Sequence, residues 1–153
     1  MNEIEIISSS LQTSLSGQPW YGKSFVTLLH EVDGEKVYRQ PNDHSHSIAD
    51  LLYHMITWAE FTQYRLEKKQ QDMEEVEALD WRKINPAEHT LEKGIAQFTG
   101  CINTIIELLK KRDDQMLDEK VDYREYNFRT LLNGLIEHTI YHLGQIAYVN
   151  KLL

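Results

Sequence analysis

Two histidines four residues apart, His138 and His142, are the side chains of this sequence best placed to do chemistry together. On a helix that spacing stacks them on one face. At about 100° per residue, Leu131, Leu135, His138, His142, Gln145, Ile146 and Val149 share one arc, so the pair lies within the apolar stripe. Imidazoles buried there are costly as cations, and as neutral rings they need partners for both nitrogens. A metal ion supplies one such partner, and imidazole is a frequent transition-metal ligand. The alternative is a core pair satisfied by hydrogen bonds to polar neighbours. His54, at the edge of another apolar stripe beside Leu51, Trp58 and Phe61, is positioned to face the same helix and act as a third ligand. Three protein ligands with an open position characterise a reactive zinc-like site, whereas structural sites close with four. No fourth Cys, His or carboxylate stands at helical spacing on these faces; Glu137 points about 100° away from His138.

The other histidines suit plainer roles. His44 and His46 flank a helix start in a polar stretch, and surface or capping positions fit them. His89 falls in what reads as the first turn of a helix and should be solvated, while His30 ends a short amphipathic piece. The single cysteine, Cys101, reads as a small core residue.

Four helical segments must position these groups. The first covers about residues 2–15, with Ile4, Ile7, Leu11 and Leu15 in register, and stops at Ser16-Gly17-Gln18-Pro19. Phe25, Leu28 and Leu29 follow in a short amphipathic piece, and Asp33-Gly34 marks either a small hairpin or a turn. The second helix starts at Ser47, with Asp50 completing a capping box, and ends near Lys69 in a charged, Gln-rich stretch. The third is predicted to start with Asn85 as cap and Pro86 as first residue. Its seam is Leu91, Ile95, Phe98, Ile102, Ile105 and Leu109. The fourth runs from about Phe128 to the end. The pattern predicts an all-α chain, residues 1–153 forming one four-helix-bundle domain. Its long connections imply at least one crossover.

Composition bounds the function. With 153 residues and 41% hydrophobic content the chain can build a core. A net charge of -8 argues against nucleic acid, which rewards a cationic face. No apolar run approaches the roughly 20 residues that span a bilayer, so no membrane partner is expected. One cysteine and an acidic N-terminus fit the cytoplasm.

Two stretches carry a resemblance. His46-Ser47-Ile48-Ala49-Asp50-Leu51-Leu52-Tyr53-His54, followed by Trp58, looks like the second-helix motif of DinB/YfiT-like proteins. Leu132-Asn133-Gly134-Leu135-Ile136-Glu137-His138-Thr139-Ile140-Tyr141-His142-Leu143-Gly144-Gln145-Ile146 is similar to that family's C-terminal motif, and Pro19-Trp20-Tyr21-Gly22 is also typical. The resemblance implies a bundle that binds one divalent metal, zinc or nickel, through His54, His138 and His142, often as a homodimer. It implies chemistry on small molecules: S-transfer with low-molecular-weight thiols such as bacillithiol, a mycothiol-dependent isomerisation, or metal-dependent hydrolysis.

Three readings follow. A metal-dependent transferase would hold a thiol as its thiolate and needs no protein base. A hydrolase would ionise water instead and wants a carboxylate base, which the spacing does not provide. A non-catalytic dimer would use the ion for stability or sensing in a stress or sensing role, with Ile136, Ile140 and Leu143 as the contact edge. Gln145 is a candidate to hydrogen-bond the bound ligand, and Trp58, Phe61 and Tyr141 are candidates to line its cavity.

Overall fold

The structure, a computed structural model, describes residues 1–153. It is all-α, with six helices and no strand: α1 Glu3–Ser16, α2 Phe25–His30, α3 Ile48–Leu66, α4 Met73–Asp80, α5 Leu91–Leu109 and α6 Phe128–Leu152. A 3-10 turn, Asp114–Asp118, precedes α6. The starts of the helices are written in short polar side chains. Asn2, Ser24, Ser47, Asp72, Thr90 and Asn127 each accept a backbone N–H of the first turn they precede. Ser47 and Asp50 close the anticipated capping box at the head of the helix that carries His54.

The four longest helices surround one core. α3 packs on α5 and α6, and α1 packs on the same two helices from another side. Their apolar stripes merge with residues of α2, α4 and the connections into a single cluster of 35 buried hydrophobic residues. Contact between α3 and α5 depends on Gly94, where a Cβ would sit 2.5 Å from Leu52 Cδ2. Nearby, Tyr53 Oη donates to the Thr90 carbonyl (2.9 Å) and ties the middle of α3 to the head of α5.

Several expectations need correction. α5 begins at Leu91, not at Pro86. Asn85 does cap a turn, but that turn closes on itself: Asn85 N–H donates to His89 Nδ1 (2.8 Å) and His89 N–H donates to Asn85 O (2.8 Å). Thr90 then leaves helical geometry (φ -78°, ψ 157°) and caps α5 afresh, so the helix does not run through; the Tyr38 hydroxyl donates to the His89 carbonyl at this break (3.1 Å). His89 is consequently half-buried ahead of α5 and packs edge-on against Tyr53. α3 ends at Leu66, where Lys68 turns the backbone left-handed at φ 55°. The stretch beyond is not wholly irregular, because α4 forms there behind Asp72. Asp33-Gly34 makes a turn with no paired strands, Lys36 N–H donating to Asp33 O (3.0 Å). Leu143 is buried in the core, which removes it from any outer contact edge, while Ile136 and Ile140 remain half-buried.

Candidate metal centre

α3 and α6 face each other over much of their length, and their histidines meet there. His54 and His142 are buried, and His138 is half-buried beside them. The three rings turn the same atom inward: His54 Nε2 lies 3.0 Å from His142 Nε2 and 3.0 Å from His138 Nε2.

The outer nitrogens explain this orientation. His54 Nδ1 donates to Asp80 Oδ1 (2.6 Å), and the Trp58 indole Nε1 donates to the same oxygen (2.8 Å). His142 Nδ1 donates to Gln145 Oε1 (2.6 Å). An ionised carboxylate can only accept and the Gln145 oxygen can only accept, so both imidazoles carry their proton on Nδ1. Two Nε2 lone pairs are thereby aimed at each other at 3.0 Å. A proton on His138 Nε2 would relieve only its own contact with His54, and would leave the buried His138 Nδ1 as a bare acceptor with no partner. Neutral imidazoles in this arrangement repel at their centre, and a cation there satisfies all three.

Protonating the rings is the other way to supply positive charge, and burial opposes it. Desolvation pushes His138 down to about 3, with His142 and His54 beside it adding to the shift. His54 and His142 are also held below the ordinary imidazole range, chiefly by burial, although Asp80 and Gln145 respectively pull the other way. The three side chains can therefore hold a metal ion, with ligand atoms all within 4.8 Å of one another. The chemistry of the donor set fits a borderline divalent ion such as zinc.

Residues beyond the ligands complete the site. Trp81, immediately after α4, stacks on His54 (3.8 Å between centroids, 7°) and on His46 (4.0 Å, 9°). Two rings that near cannot share one face of the indole, so Trp81 lies between the two imidazoles. His46 is thus exposed but engaged, separated from the centre by a tryptophan. Tyr141 packs edge-on against His142 (5.0 Å) and is otherwise largely exposed. A cavity of about 250 Å³ begins at His138 and is walled by Trp58, Phe61, Tyr126, Leu131 and Leu135.

The structure brings together His54, His138 and His142 as the sequence suggested, and puts Trp58 and Phe61 at the cavity. Tyr141 does not line that cavity. Gln145 Oε1 accepts from His142 Nδ1, so Gln145 orients that ring. Cys101 is buried on α5, and desolvation pushes its thiol up to about 12, which makes it an inert core residue.

Asp80 and Trp81 escaped sequence reasoning. Both belong to α4 and its end, a helix of eight residues with one buried residue, Val76, whose apolar positions Met73, Val76 and Leu79 span too few turns to stand out among charged neighbours. A signal was present: Asp72 as cap followed by Glu74 and Glu75 in the first turn. What brings Asp80 to His54 is the fold of α4 against α3, which spacing does not encode.

A family model described as the DinB superfamily matches residues 22–146. That span includes α2 to α5 and all three histidines of the centre. No curated protein matches the chain.

Proposed function

The chain belongs to the DinB superfamily, and from that premise we propose that it is a metal-dependent enzyme activating a low-molecular-weight thiol for S-transfer at His54, His138 and His142. The observation that carries the reading is the convergence of three Nε2 atoms whose Nδ1 partners fix two of them as unprotonated donors. A divalent ion held there, zinc or nickel, supplies the positive charge that keeps a thiol in its nucleophilic form at neutral pH. The protein's own residues do the positioning. Asp80 and Trp58 lock the His54 ring, Gln145 locks His142, and Trp81 covers one face of His54 against water. The apolar cavity at His138 gives an electrophilic small molecule a place beside the centre.

A hydrolase is the second reading, and Asp80 is the observation that bears on it. It is the carboxylate nearest the centre, yet its Oδ1 is committed to His54 and Trp58 on the outer side of the ring. That use leaves the thiol reading ahead, because a thiolate needs no protein base. The third reading, a non-catalytic sensing or stress protein, keeps the ion and drops the reaction.

The reading extends to architecture and setting. The four long helices are taken as a four-helix bundle in which α1 and α3 occupy opposite corners, making residues 17–47 a crossover. A homodimer is supported by the outward aromatics Trp20, Tyr141 and Tyr148, a cytoplasmic setting by the lone buried cysteine, and the absence of a nucleic-acid partner by the charge of -8. No helix is long and apolar enough to cross a membrane.

The test is elemental analysis of protein purified without metal-affinity steps, followed by mixing the loaded protein with an electrophile and a series of cellular thiols. About one ion per chain and thiol consumption above the metal-free control are expected. An ion with no turnover for any pair favours the non-catalytic reading. Normal metal content in both His138→Ala and His142→Ala removes the site altogether.

A further inference from the structure

The cavity at His138 is almost wholly apolar, but a cation stands over its wall. The Arg124 guanidinium lies 5.0 Å from the Phe61 ring centroid and 5.8 Å from that of Trp58, the two aromatic side chains nearest the histidine end. Its one hydrogen bond within the protein runs from Nη1 to the Tyr123 carbonyl (3.1 Å). No carboxylate comes within 4.0 Å of it; the adjacent Glu125 is taken by Lys120 (3.1 Å), and Asp118 by Arg129. Four other arginines, Arg39, Arg65, Arg82 and Arg112, also lack a carboxylate partner; what sets Arg124 apart is its place over two rings that wall the cavity.

The backbone that presents Arg124 is specially made. Tyr123 is held in the left-handed region at φ 67°, which costs a bulky residue energy and persists only where the surroundings enforce it. Here they do so from several sides. Tyr123 Oη donates to Gln70 Oε1 (2.9 Å) and accepts from Gln71 N–H (3.4 Å), and the buried Arg65 guanidinium lies 4.6 Å from its ring centroid. The loop is closed below by Val121 N–H donating to Tyr126 O (2.9 Å) and Arg124 N–H donating to Val121 O (3.1 Å). Tyr126, on the same loop, supplies part of the cavity wall. A solvated surface arginine needs none of this support.

We propose that the cavity takes a small molecule with an apolar body and an anionic group, and that Arg124 selects the anion where its guanidinium stands over the Trp58 and Phe61 wall. The inference rests on the reading that this cavity serves the histidine centre, and it narrows the substrate class to amphipathic acids. About 250 Å³ holds roughly eight groups the size of a water molecule, enough for a chain of several carbons or one aromatic ring. The aromatic walls bury the apolar part. The free N–H groups of Arg124 face a carboxylate or phosphate, for which the guanidinium fork is suited.

The test compares octanoate with 1-octanol, followed by the Trp58 indole N–H resonance, in the protein as purified and again after chelation. Octanoate should bind about fivefold more tightly at low salt, the scale of a partly exposed ion pair, with or without the metal. Arg124→Gln should bring the two ligands within about twofold, and Arg124→Lys should retain the preference. Equal binding of acid and alcohol to the natural sequence, or an unchanged preference in Arg124→Gln, overturns the proposal. A preference that vanishes on chelation overturns it too, since the acid would then be reading the metal. Metal content is measured separately, so absence of the ion with the octanoate preference intact would sink the metal reading and leave this one standing.

Discussion

Among single side chains, Asp80 has the clearest role outside the three histidines. It accepts from the His54 ring and from the Trp58 indole on one oxygen, so it fixes both a tautomer and a ring angle. Partners of this kind are worth about 10- to 100-fold in metal affinity. Asp80→Ala is therefore expected to weaken binding of zinc or cobalt by about that factor while leaving the helix content intact, as read by competition with a chromophoric chelator and by circular dichroism. Unchanged affinity would mean that packing against Trp81 alone orients His54. Gln145 plays the same part for His142 with a neutral acceptor.

At the scale of elements, the N-terminus of α1 is held by more than its own cap. Besides the Asn2–Glu5 capping box, Asp114 accepts from the backbone N–H of Glu3 (2.9 Å) and of Ile4 (3.0 Å). Those two bonds, Ile4 first, hold the Asp114 carboxyl below its ordinary range. In the unfolded chain the group titrates near pH 4, so the folded state binds fewer protons there. Its contribution is present above about pH 4 and is lost as pH falls through the lower folded value. Asp114→Ala should lower the melting temperature at pH 7, and the gap from the natural sequence should narrow toward pH 2–3. A gap independent of pH would show that the carboxylate charge plays no part. α4 makes the complementary point: it buries little, yet it delivers Asp80 and Trp81 to the site, so its function lies in placement and not in the core.

For the whole molecule, the question is whether an ion would hold the fold together. The core is one cluster of 35 buried hydrophobic residues contributed by every helix, and it closes around α3, α5 and α6 without drawing on the histidines. Chelation is therefore expected to leave the helical signal unchanged. The melting temperature should fall by about 5–10 °C when the comparison state holds ion at about 100 times its dissociation constant. Complete unfolding on chelation would recast the ion as structural.

Much of this was legible from residue type and spacing alone. Period placed α1, α3 and α6 within a few residues, because each buries a stripe and begins at a polar cap. Spacing also put His138 and His142 on one face, since four residues along a helix is a local fact. The head of α5 was misjudged because Asn85-Pro86 has the chemistry of a helix start, while the chain breaks at extended Thr90 and caps again there. α4 and Asp80 were missed because a helix of eight residues gives its apolar stripe too little length to stand out in a charged stretch. Sequence by itself thus determined an all-α chain and a pair of histidines buried among apolar residues, properties set by neighbours within a few turns. Only the tertiary structure decided which nitrogen His54 turns inward, since that depends on Asp80 arriving from α4, and only it brought the lone pairs of His54 and of the α6 histidines to face one another across 3.0 Å.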